Sequence, residues 1–134
     1  TEMQRSNLPK SLNLLEKARM LGLLRDDAKS LKKLSKPAKI YLDNPNLAYA
    51  ICGDAPNVGN LRETFFYNQL SVVGSVTATV QGNFMVNEKY IFEVGGSGKG
   101  FAQIANLLNA YLAVDETEIG MGNRIPLWMF GLLY

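Results

Sequence analysis

Histidine is absent from this chain and cysteine occurs once, and no apolar run approaches the roughly 20 residues that span a bilayer. Without imidazole there is no His-based triad, and Cys52 alone gives neither a disulfide framework nor a zinc cluster. No N-terminal stretch joins a basic region to a long apolar one, so a soluble, cytoplasmic protein with no membrane partner is expected. Chemistry is left to carboxylates and lysine.

What is present suffices for one main domain. The 134 residues are 47% hydrophobic, enough for one compact core with a short appended element. Thr1 in place of an initiator Met reads as the start of a piece cut from a longer polypeptide. The net charge of +2 hides an asymmetry: residues 1–43 carry ten Lys or Arg against five acids, and residues 44–134 carry four against seven. Lys29, Lys32, Lys33, Lys36 and Lys39 are therefore candidate nucleic-acid contacts, since phosphate binding needs basic side chains. The plainer reading is a solvated lysine loop.

Periodicity predicts the elements. Pro9 and Ser11 open a helix with Leu12, Leu15 and Ala18 on one face, ending near Gly22. Lys39 to Asp43 reads as a strand stopped by Asn44-Pro45, so helix, basic loop and strand have the shape of the back half of a winged-helix domain. Pro45 starts a short helix closed by Gly53. Asn60 can cap a longer one in which Leu61, Phe65, Phe66, Leu70 and Val73 form a stripe that ends at Gly74. Strands are expected at Val76–Val80, Asn83–Val86 and Tyr90–Val94, joined by hairpin connections. A glycine-rich turn at 95–100 then leads into a helix carrying Phe101, Ile104, Leu107 and Leu108. A buried strand at Ala110–Val114 and an apolar helix or extended tail at Ile125–Leu133 follow.

The strand, glycine turn, lysine and helix around Lys99 imitate a phosphate-binding P-loop but depart from it twice. Glu93 stands where the first glycine belongs, and Gly100 stands where a Ser or Thr should hold magnesium. Those departures argue against ATP binding by the loop. A different constellation fits better. The start of one strand lies beside the end of its antiparallel partner, so Asn83 and Glu93 are expected to be neighbours. Glu93 and Asn83 are then the candidate magnesium ligands, with Glu63 on the long helix and Lys99 just beyond completing a candidate catalytic set. Read plainly, Glu63 is a helix-start acid and Glu93 a strand-end acid.

The order of elements from 59 to 114, with Glu63, Asn83, Glu93 and Lys99 at these points, resembles the PD-(D/E)XK nuclease superfamily. That likeness implies a restriction-endonuclease-like α/β core of helix, three antiparallel strands, helix and strand. Lys39-Ile40-Tyr41-Leu42, Leu61-Arg62-Glu63-Thr64-Phe65-Phe66, Phe92-Glu93-Val94-Gly95-Gly96 and Ile125-Pro126-Leu127-Trp128 resemble, more closely, a C-terminal domain of unknown function. That domain follows the ATPase and winged-helix modules of a family of prokaryotic AAA-type ATPases. The resemblance implies residues 1–43 as the tail of a winged helix and 44–134 as the nuclease-like domain, with ATP bound only by a parent module outside this chain. Against the nuclease pattern, Asn83 replaces the strand aspartate and Gly95 occupies the lysine slot. A degenerate site serving nucleic-acid or protein interaction is therefore expected. The alternatives are a magnesium-dependent phosphodiesterase using Glu63, Glu93 and Lys99, and self-association through a tail bearing Trp128, Phe130 and Tyr134.

Overall fold

A computed structural model describes residues 2–26 and 36–134, with side chains from residue 7 onward. Helix α1 (Glu2–Lys17) runs through Pro9 rather than starting at it. It ends in a Schellman motif: the amide of Arg19 donates to the Glu16 carbonyl and that of Met20 to the Leu15 carbonyl, with Arg19 at φ 58°. The helix thus ends at Lys17, five residues before the expected Gly22. That glycine lies instead in strand β1 (Leu21–Leu24), where the ring of Tyr67 covers its Cα and leaves no room for a side chain.

Strand β1 pairs antiparallel with β2 (Lys39–Leu42). Arg25, just past β1, grips Glu16 of α1 with two hydrogen bonds of 2.9 and 2.8 Å, which hold the Glu16 carboxyl below its usual range. Helix α2 (Pro45–Cys52) follows, capped by the Asn44 side chain and closed by Gly53 at φ 65°. Helix α3 (Val58–Val73) is capped by Asn57, not Asn60. The Asn57 side chain accepts from the amide of residue 60, which lies inside the first turn.

A five-stranded sheet follows: β3 (Val76–Thr77), β4 (Phe84–Val86), β5 (Tyr90–Gly95), β6 (Ala110–Val114) and β7 (Arg124–Pro126), hydrogen-bonded in that order. The pairs β3/β4 and β4/β5 are antiparallel, while β5/β6 and β6/β7 are parallel. The β4–β5 turn places Asn87 and Glu88 at positive φ, as a tight right-twisted hairpin requires. A 3₁₀ turn (Leu127–Leu132) ends the described fold. The chain is thus mixed α/β, with the expected antiparallel meander and a parallel fourth strand.

One helix is missing from the expected order. Residues 101–107 make successive three-residue turns, Ile104 amide to Phe101 carbonyl and Leu107 amide to Ile104 carbonyl, instead of α-helix. The expected strand to Val80 also stops at Thr77, leaving the Val80 side chain fully in solvent.

Phe66 of α3 is completely buried, with its ring 5.1, 5.0 and 4.9 Å from those of Phe84, Phe92 and Phe130. Leu24 of β1 and Tyr41 of β2 belong to this same core, so apolar packing runs across residue 43 without a break. On the other face of the sheet Ile104 packs with Ala110, Leu112 and Val114. Among the described residues no helix is long and apolar enough to cross a membrane.

Candidate functional site

Alternation along β5 sends Phe92 and Val94 toward α3 and Glu93 to the opposite face, where it sits beside its register partner Leu112. Glu93 is only 3% exposed. A buried carboxylate needs compensation, and Lys99 supplies it through an ion pair of 2.5 Å. Gln103, with its amide nitrogen turned to the carboxylate, donates to both oxygens at 2.6 and 3.2 Å. The lysine that imitates a P-loop lysine in the sequence is thus spent on the very carboxylate that breaks the P-loop pattern.

Two features bring Lys99 there. Gly95 offers no side chain, and the aliphatic stem of Lys99 lies where one would begin, 2.8–2.9 Å from the position of a Cβ. Arg124 of β7 then holds the loop by donating to the carbonyls of Lys99 and Ser97, at 3.0 and 2.5 Å. The ammonium reaches Glu93 from a lysine four residues beyond the slot in which the nuclease pattern would carry it.

Asn83 lies opposite Glu93 as the register requires: its amide donates to the Phe92 carbonyl, and its side-chain oxygen accepts from the Val94 amide at 2.7 Å. Its side-chain nitrogen turns to Glu63 at 3.3 Å rather than to Glu93. Glu63 in turn accepts from the Tyr41 hydroxyl at 2.6 Å and pairs with Lys39 at 3.0 Å. Burial first, and then the bond to Glu63, push the Tyr41 hydroxyl pKa far up.

The four candidate residues therefore form two adjoining networks: Lys39, Tyr41, Glu63 and Asn83 in one, Glu93, Lys99 and Gln103 in the other. A cleft of about 420 Å³ opens over Asn83, Glu93, Lys99 and Gln103. Glu63 does not line it, and among the described residues no three His, Cys, Asp or Glu side chains gather as a metal group. Both expected magnesium ligands already spend their polar atoms within the protein. Tyr41 was findable, because strand alternation puts it on the same side as Lys39. Gln103 was not, because its position depends on turns that replaced the expected helix.

Of the candidate nucleic-acid contacts, Lys29, Lys32 and Lys33 lie outside the described residues. Lys36 is exposed and Lys39 is engaged by Glu63. The tail aromatics also divide. Phe130 is buried against Phe66 and Phe92 and so cannot face a partner, whereas Trp128 and Tyr134 remain 54% and 70% exposed. Comparison of the chain with protein-family models, with curated proteins and with solved structures finds no match.

Proposed function

We propose that this chain is a nuclease-like domain of the PD-(D/E)XK type that has given up metal-dependent cleavage and works by binding nucleic acid or protein, as part of a larger AAA-type ATPase. The observation that carries this reading is the cation already seated on Glu93: the Lys99 ammonium stands 2.5 Å from the one buried carboxylate of the cleft. A magnesium ion seeks several oxygen ligands with charge to match. Asn83 brings no charge, and its amide oxygen is held by the Val94 amide. Support for the nuclease-like frame comes from the antiparallel meander with a parallel fourth strand, and from Glu93 and Lys99 meeting near the end of its third strand.

Calorimetric magnesium titration and plasmid cleavage test the proposal together. The protein should bind no magnesium and leave the plasmid intact. Asn83→Asp should gain magnesium binding, because it places a carboxylate opposite Glu93, and Glu93→Gln in that background should remove the gain. Without metal, Asn83→Asp should be less stable, since the new carboxylate faces Glu63 where an amide nitrogen now donates. Magnesium-dependent cutting by the unaltered protein, stopped by Glu93→Gln, would instead establish the phosphodiesterase reading with Glu93 and Lys99 as its working pair.

A further inference from the structure

A shallow groove of about 390 Å³ lies between α2, α3 and the C-terminal turn, and neither Glu93 nor Lys99 lines it. Leu61 and Phe65 contribute to it from α3. Tyr49, Val58 and Trp128 also line it while remaining 52%, 52% and 54% exposed. Large apolar side chains left exposed around one depression mark a docking surface more often than chance. The groove also has a charged component. Asp115 lines it together with Arg62, whose Nε sits 2.8 Å from Asp115 and whose Nη2 sits 3.4 Å from Glu116. One guanidinium thus serves two carboxylates, and these stay 43% and 64% exposed while the guanidinium is largely covered. An arriving cation meets an under-neutralised acidic pair in a groove that also presents an indole, the aromatic face that best attracts cations.

We propose that this groove docks an extended peptide segment of a partner protein in which apolar residues, proline or leucine, adjoin a lysine or arginine. The apolar residues lie against Tyr49, Val58 and Trp128, and the basic side chain reaches Asp115. Extended proline-containing segments suit such a surface, because aromatic-lined grooves accept them with little further ordering of the peptide. The charge imbalance selects a basic ligand over an acidic one. The proposal stands independently of the nuclease-like reading.

Trp128 is the only tryptophan, so its emission reports on this groove directly. Titration of the whole protein with a blocked octapeptide of leucines and prolines ending in two arginines should shift that emission saturably. The affinity should exceed that of the same peptide ending in two glutamates by about tenfold and should fall with added salt. Asp115→Asn should weaken the arginine peptide about fivefold and leave a glutamine-ended version unchanged, whereas Tyr49→Ala, at an exposed side chain, should weaken both. Equal affinity for the arginine and glutamate peptides, or no saturable shift at millimolar peptide, overturns the proposal. So does an emission shift driven by protein concentration alone, which would put a second copy of the chain in the groove.

Discussion

Glu93 is 3% exposed and Lys99 34%, so the two halves of their ion pair lose very different amounts when separated. Removing Lys99 strands a carboxylate in the sheet with Gln103 as its remaining partner, whereas removing the charge of Glu93 frees an ammonium that can turn to water. Lys99→Met should therefore cost ~2–4 kcal/mol and Glu93→Gln only ~1–2 kcal/mol, with the double variant well below the sum. Urea unfolding of the four proteins measures this, and equal costs for the two single changes would show that the pair is not set by burial. Gly95→Ala acts on the same pair from outside it: the new methyl meets the Lys99 stem, and about 1–2 kcal/mol should be lost as the stem moves. At this scale the juxtaposition of positions 83 and 93 was legible, because antiparallel register depends only on the hairpin. The side-chain partners were not, because the Asn83 amide had two directions open to it and took the one toward Glu63.

Elements were legible where a single period dominates. Helix α3 and the strands β4 and β5 fall where apolar spacing and glycine punctuation put them, give or take a terminal residue, whereas β3 stops three residues short of the expected Val80. The misread stretch is 101–108, where Phe101, Ile104 and Leu107 recur every third residue and Leu108 adds a helical i+4 partner to Ile104. That pattern fits either an α-helix or a run of tighter turns. A segment this short, entered through glycines and left through Asn109 at φ 55°, gains little from helix nucleation. The turns win, with Ile104 2% exposed and Leu108 89%. Ile104→Ala should accordingly cost ~2–4 kcal/mol, while Leu108→Gln should change stability by less than about 0.5 kcal/mol. A true helix would bury both on one face, so a comparable loss from Leu108→Gln in thermal unfolding would reject the turn assignment. Strand β1 was missed for a related reason. Gly22 reads as a helix stop, but the stop is supplied earlier by Arg19, a residue that rarely adopts positive φ.

Across the whole molecule, the strand pair β1/β2 and the five-stranded sheet share one core through Tyr41, and that hydroxyl ties their joint stability to pH. Tyr41 and Tyr67 both have pKa values raised above the ordinary 10.0, with burial the leading cause in each. A phenol whose folded pKa is raised favours folding fully below its unfolded pKa, and that contribution is lost as pH climbs through the folded value. Stability should therefore hold up to about pH 10 and fall above it, with each such tyrosine adding up to ~1.4 kcal/mol per pH unit to the slope. Alkaline pH also changes the net charge of the chain as a whole, and that background acts on every variant alike. The informative quantity is thus the difference between variants, not the slope itself. Tyr41→Phe should lose ~1–2 kcal/mol at neutral pH, because Glu63 loses one of its three donors among the described residues and keeps Lys39 and Asn83, yet it should lose less than the unaltered protein between pH 10 and 12. The two urea midpoints should converge as pH rises. Parallel curves across that range would mean that Tyr41 ionises as freely in the folded protein as in the unfolded chain, and that the strand pair is not sealed against the sheet.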